Sequence, residues 1–280
     1  MVELALDKSE PCDDKSCVFS QIKPQIKEKE HSGDKCILVG DGQDNKATLN
    51  MTLLYDRDEC VVFAAGISYY YTLDTYFEKE MAKQCRVFAF DCTVRDKDRK
   101  MEADNVNFSP ICIGDPTSNA GNIGQLYMNQ AKDEFGFDGN SNEPVFQFKS
   151  LLQLSSERHL DRIDLLKFDI EGHEWDFFSS VLPELWKFNE DLLPGQISFE
   201  LHTKWADPYF VPQDLVKDKG RDEVNELFSQ LKNMGYYVIS KDINHGDAAC
   251  CEFVIARLNI KATSTLRQRL FHHGCEFVNN

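Results

Sequence analysis

The sequence predicts an α/β fold in which a mostly parallel sheet carries helices on both faces. Three observations predict it. Strand-length apolar runs alternate with segments of helical period from Cys60 to Met234, the pattern of βαβ units. One run, Ile163 to Ile170, is nearly continuous in apolar residues, as suits a central strand buried on both faces. The last two runs, Tyr236 to Ser240 and Cys251 to Leu258, follow each other with no helical segment between them. They close the sheet with an antiparallel edge.

Residues 1–35 are polar and charged, with Pro11 and Pro24 and little periodicity, and read as a flexible arm. Ile37 to Asp44 and Ala47 to Tyr55 read as two short strands of a small β-rich leading unit. Cys60 to Ile67 is the first strong strand, and Leu73, Phe77 and Met81 give an apolar stripe to a helix from about Asp74 to Gln84. Arg86 to Phe90 is the next strand and ends in Asp91; a third candidate, Val106 to Ile113, ends in Gly114-Asp115. Residues 116–143, rich in Gly and Asn, read as a long surface loop. A short strand from Pro144 to Phe148 and a helix from about Ser150 to His159 follow. Beyond the central strand, Trp175, Phe178, Val181, Leu182 and Leu185 recur at helical spacing. Gln196 to His202 is a fifth strand, and a helix from Arg221 to Met234 is ended by Gly235. The tail, 261–280, is basic and poorly patterned, so 36–260 reads as one domain between the arm and the tail.

Composition bounds the function. A hydrophobic fraction of 42% belongs to a folded globular chain. The formal net charge of −16 and a pI near 4.8 weigh against nucleic acid, whose phosphates such a field repels. No apolar run approaches the ~20 residues of a membrane span. The start of the chain has no apolar core of signal-peptide length, which places the protein in the cytoplasm as given. The secretory pathway is open to a form with an upstream leader. The ten cysteines show no zinc-site spacing. Cys85, Cys92, Cys112, Cys250 and Cys251 fall in or beside strands and read as small hydrophobes. Cys12, Cys17, Cys36 and Cys60 read as candidates for disulfides in an oxidising compartment.

The chemistry gathers at strand ends. A strand ending in Gly66 brings backbone close to a ligand. Asp91 follows it by 25 residues, near the ~20-residue offset at which an acid holds ribose hydroxyls. The loop Ala65-Gly66-Ile67-Ser68 lacks the glycines a pyrophosphate requires, which favours a nucleoside without phosphates, with S-adenosylmethionine as the candidate. The run Asp169-Ile170-Glu171-Gly172-His173-Glu174 packs four ionisable groups round one glycine at the carboxyl end of the central strand, where ligands of such sheets bind. Glu171 and Glu174 also suit the start of the next helix, and Glu174 reads as a helix-start acid. Asp169 reads as functional, since a carboxylate ending a buried strand is costly to place.

At this point the sequence resembles the class I S-adenosylmethionine-dependent methyltransferases, and within them the FkbM-type and methyltransferase-like-24-type domains. The resemblance rests on residues 61–68, 77–82, 87–93, 166–176 and 196–202, in order, within residues 36 to 258. It implies a Rossmann-like three-layer sandwich with a seven-stranded sheet and an antiparallel edge strand. It also implies that Gly66, Ile67 and Ser68 pass under the methionine part of the cofactor. By the same resemblance Asp91 takes the ribose hydroxyls, Gly114 and Asp115 lie near the adenine, and Asp169 lies near the methyl group. Candidate bases are Asp169, Glu171 and His202, with His202 favoured on its unperturbed pKa. The expected reaction is O-methyl transfer to a small-molecule or glycan acceptor. Two alternatives stand beside it: a silent cofactor-binding module, and a metal-dependent hydrolase using Asp169, Glu171, Glu200 and His202. No metal is assigned.

Overall fold

The computed structural model describes residues 18–24, 26–28, 37–39, 47–49, 60–67, 76–92, 106–115, 147–208, 211–243, 249–257 and 275–277. In chain order its strands are β1 (Ile26–Glu28), β2 (Ile37–Val39), β3 (Ala47–Leu49), β4 (Val61–Ala65), β5 (Arg86–Phe90) and β6 (Val106–Ser109). Then come β7 (Cys112–Ile113), β8 (Phe148–Lys149), β9 (Leu165–Phe168), β10 (Gln196–His202), β11 (Tyr236–Ile243), β12 (Cys250–Arg257) and β13 (Cys275–Phe277). Seven of them form one sheet in the order β11-β12-β10-β9-β4-β5-β6. Pairing is parallel from β10 to β6, and β12 runs against both β10 and the outermost β11. The α/β class, the mostly parallel seven-stranded sheet and the antiparallel closing pair are therefore those the sequence predicts. The chain turns back on itself between β4 and β9, the kind of switch point at which open α/β sheets bind ligands.

Alternation along the strands sorts side chains between two layers. Val61, Phe63, Ala65, Leu166 and Phe168 face one side with the helical segment 174–188 and the helix Arg221–Asn233, in the largest core cluster. Val62, Val87 and Leu165 face the other side, against Phe77 and Ala82 of the helix Tyr76–Ala82. On the first side, Phe168 packs at ring-centroid distances of 4.7 Å from Phe177, 5.5 Å from Phe178 and 5.6 Å from Phe199. Each such aromatic pair contributes about 0.5–1.5 kcal/mol beyond its buried area.

Prolines account for two departures from the sequence reading. The third strand is interrupted, with β6 and β7 separated at Pro110-Ile111, because proline has no N–H for the ladder. The helix after the central strand begins at Glu174 and passes through a π turn, Phe177–Val181, where the Leu182 N–H reaches the Phe177 carbonyl. Pro183 lies one residue further on and has no N–H for the regular bond to Ser179. Within the stretch read as a polar arm, Val18 and Phe19 are buried in the core and β1 pairs antiparallel with β13. The leading unit is the pair β2–β3, and Thr48 Oγ1 donates to Gln196 Oε1 at 3.2 Å.

The cysteine reading also changes. Cys60 joins Cys85 and Cys92 joins Cys112, each with Cα atoms 4.8 Å apart. Register explains the first: Val61 pairs with Arg86, so the preceding residues lie level on adjacent strands at disulfide distance. Cys250 and Cys251 are buried at the start of β12.

One polar pair breaks the apolar face behind β4. Lys167, 2% exposed, lies 3.8 Å from Oε1 of the fully buried Glu78, and its Nζ donates to the Gly66 carbonyl at 3.0 Å. Removing one partner of a buried pair costs more than removing both. Lys167→Met alone should lower unfolding free energy by about 3–5 kcal/mol in urea, and adding Glu78→Leu should recover most of that loss. Equal losses in the single and double variants would show that the pair is not coupled.

Candidate active site

At the carboxyl ends of β4, β5 and β9 three backbones meet. Gly66 leaves β4 with φ of +67°, and a Cβ there would lie 1.6 Å from the Asp169 carbonyl oxygen. A side chain at this position is excluded both by conformation and by space. The Gly66 N–H donates to the Phe90 carbonyl at 3.2 Å, and the Asp169 N–H to the Ala65 carbonyl at 3.3 Å. The Ile67 N–H donates to Asp91 Oδ2 at 3.0 Å. Gly66, Ile67, Asp91 and Asp169 thus lie together at one edge of the sheet. Gly114 follows β7 and donates its N–H to the Lys149 carbonyl at 3.1 Å. The Cys92–Cys112 disulfide ties its strand, and with it Gly114-Asp115, to the residue after Asp91. Ser68 and the Tyr69-Tyr70-Tyr71 run lie outside the described residues.

The turn after β9 carries the acids. Glu171 has φ of +53° and Gly172 φ of +94°. A non-glycine residue in the left-handed region costs on the order of 1 kcal/mol or more and is held by its surroundings. The holder is Glu174. Its fully buried carboxylate accepts the Ile170 N–H on Oε1 at 2.8 Å and the Gly172 N–H on Oε2 at 2.9 Å.

His202, at the end of β10, faces this turn. Its Nδ1 lies 3.3 Å from Glu174 Oε2, and its Nε2 lies 3.5 Å from Glu171 Oε2 and 3.8 Å from Glu200 Oε2. Its carbonyl accepts the Trp175 indole N–H at 2.7 Å. Burial works to lower the His202 pKa, but the charge and hydrogen bond of Glu174, with Glu171 and Asp169, carry it well above the usual value. Burial and the neighbouring Asp169, Glu174 and Glu200 charges push Glu171 up to about 8, against the pull of His202. The Glu171 side chain is 44% exposed, so water moderates that rise. Titration near neutrality therefore falls on Glu171, whereas the sequence reading favoured His202.

All three sequence-predicted catalytic residues, Asp169, Glu171 and His202, come together here. Sequence reasoning missed Glu174, read as a helix-start acid, and the supporting pair Lys167 and Glu78. A usable signal was present for Glu200 and His202. In Gln196-Ile197-Ser198-Phe199-Glu200-Leu201-His202 polar and apolar residues alternate strictly, yet all seven are buried. A polar face that is also buried marks a site rather than a solvent edge. Asp169, Glu174 and His202, and likewise Glu200, His202 and Cys250, bring ligand-type atoms within 4.8 Å of one another. Acidic clusters commonly show such spacing without an ion, and no metal is assigned.

Comparison with solved structures finds several methyltransferases among the matches. One is a variant of the 16S rRNA (adenine(1408)-N(1))-methyltransferase from Catenulisporales acidiphilia, 13% identical, with 80% of this chain and 98% of that chain covered and a TM-score of 0.38. That variant is also solved with its cosubstrate S-adenosylmethionine. Another is the CurJ carbon methyltransferase, 10% identical, with 74% of this chain covered and a TM-score of 0.41; the match spans 50% of that chain. A third is the 1,6-didemethyltoxoflavin-N1-methyltransferase of Burkholderia thailandensis, solved with S-adenosylhomocysteine. It is 13% identical, covers 72% of each chain and has a TM-score of 0.37. No curated protein matches the sequence. The expectation of no nucleic-acid partner is corrected by the rRNA methyltransferase among these structures. Net charge describes the far field and does not decide what a local surface accepts. No helix among the described residues is long and apolar enough to cross a membrane. A methyltransferase-domain model matches residues 27–257, most of the chain, and the protein belongs to that family as an S-adenosylmethionine-dependent methyltransferase.

Proposed function

We propose that the chain transfers the methyl group of S-adenosylmethionine to an oxygen acceptor, with Glu171 taking the acceptor's proton. The observation that supports this most is convergence. Gly66, Ile67, Asp91 and Asp169 meet at the edge of the sheet that also holds the Glu171–His202 pair.

The residues present fit the cofactor's chemistry. Asp91 is anchored through Oδ2 by the Ile67 N–H, and a carboxylate has about four acceptor positions, enough to receive the ribose hydroxyls as well. Gly66 and Ile67 would hold the methionine part, and Gly114 and Asp115 the adenine. When bound, S-adenosylmethionine supplies an electrophilic methyl group on a cationic sulfur. The chain aligns the acceptor, excludes water and removes a proton. Asp169 faces the reacting centre, and Glu171, raised toward neutrality, accepts the hydroxyl proton in its ionised form. The oxygen preference rests on the FkbM-type resemblance of residues 166–176.

Asp91→Ala should weaken S-adenosylhomocysteine binding by at least ~10-fold in calorimetry, the scale of a lost charge-assisted pair of hydrogen bonds. Wild-type affinity in that variant would refute the ribose role. The Glu171 shift gives a second test. Between the ordinary carboxylate range and about 8, the folded state holds a proton that the unfolded chain has lost. Stability therefore falls as pH rises through this window. Glu171→Gln should flatten that decline and raise Tm at the alkaline end by a few °C, while turnover drops ~100-fold or more. An unchanged pH–Tm profile would remove the raised pKa from the account.

A further inference from the structure

We propose that Glu174 is a positioning residue: its buried carboxylate fixes the His202 proton on Nδ1 and so turns Nε2 toward Glu171. The inference rests on the methyl-transfer reading above, because it assigns the ring a task at that site.

The case begins with what a carboxylate can do. Ionised, it accepts and never donates. Glu174 exposes no surface, and both its oxygens face donors: the Ile170 N–H on Oε1, and the Gly172 N–H with the His202 ring on Oε2. The group at His202 Nδ1 must therefore be N–H. That leaves Nε2 as the variable edge of the ring, 3.5 Å from Glu171 Oε2. The other groups facing the ring are Asp169 on the turn, Glu200 two residues back on β10, and Cys250, which pairs with His202 across β12. Neither Glu200 nor Glu171 approaches Nδ1 in this way, since both lie on the Nε2 side.

A helix-start acid would explain the position of Glu174 in the chain but not its contacts. An acid acting on the helix dipole needs no partner on another strand. Glu174 instead points back over the turn, closes it round the left-handed Glu171 and Gly172, and meets a ring from another strand. One carboxylate thus sets both the loop that carries Glu171 and the orientation of the ring that Glu171 faces.

The test uses the full chain labelled with nitrogen-15, its histidine rings followed by long-range proton–nitrogen spectra up to alkaline pH. His202 is assigned by its loss in His202→Gln. In the unsubstituted protein, neutral His202 should appear as the Nδ1–H tautomer; a predominant Nε2–H form overturns the proposal. In Glu174→Gln the His202 midpoint should fall by about one unit or more and the tautomer preference should vanish, with the amide spectrum of the sheet retained. An unmoved midpoint in the folded variant also overturns it. If Glu174→Gln does not fold, the tautomer of the unsubstituted protein decides alone. Loss of S-adenosylhomocysteine binding by the unsubstituted chain, with the tautomer as expected, would instead sink the methyl-transfer reading and leave the positioning geometry standing.

Discussion

The site depends on one approach between two backbones. Gly66 at the end of β4 lies so near the Asp169 carbonyl that a single added carbon would fall 1.6 Å from it. That closeness brings Gly66-Ile67 and the acidic turn after β9 together at the switch point of the sheet. The contacts around it are mutually dependent. Lys167 holds the Gly66 carbonyl from behind, Asp91 holds the Ile67 N–H from the side, and Phe90 accepts the Gly66 N–H. The disulfide between Cys92 and Cys112 adds a covalent tie just beyond Asp91. A closed loop of about 20 residues removes roughly 3 kcal/mol of denatured-state entropy in the chain-entropy account.

The acidic turn is unfavourable by itself. It gathers several carboxylates round one imidazole, places Glu171 in a left-handed conformation and raises its pKa. The left-handed residue and the raised Glu171 pKa lower stability, and the opposite face of the same strands offsets them. Phe168 stacks with Phe177, Phe178 and Phe199, and Phe199 packs in turn on Phe253. Local strain at functional sites persists where the surroundings over-determine it, and here the surroundings are the Glu174 carboxylate and, one residue away, an aromatic layer.

Much of this was legible in the sequence because it is written in local patterns. The apolar run through Leu165-Leu166 announced the central strand, and the strand ending in Gly66 and the acid Asp91 announced the ligand edge. What was not legible needed register or pairing. Cys60 and Cys85 are remote in the chain and level only once β4 and β5 are aligned. Lys167 is a single polar residue within a buried strand, and its partner Glu78 lies on a helix whose rotation the sequence does not set. Glu174 satisfied a local rule for helix starts, so its long-range contact with His202 was hidden by an adequate short-range explanation. The net charge does not locate a site for the opposite reason, since a sum over the chain has no location.

Strand β10 shows how one segment serves fold and chemistry without conflict. Ile197, Phe199 and Leu201 enter the large core, while Ser198, Glu200 and His202 face the other side and are buried as well. A two-residue period separates the tasks completely: a change at an odd position from 197 to 201 disturbs packing, and one at an even position from 198 to 202 disturbs the site. The same division holds on β9, where Leu166 and Phe168 pack and Lys167 supports the Gly66 loop. Because parallel pairing sets Ser198 beside Lys167 and Phe199 beside Phe168, the polar stripes of both strands coincide and run toward the same edge. There they meet Asp169, Glu171 and Glu174. The site is therefore the continuation, past the strand ends, of a polar stripe built into the sheet itself. Its acidity and its position follow from the same register that gives the opposite face its core.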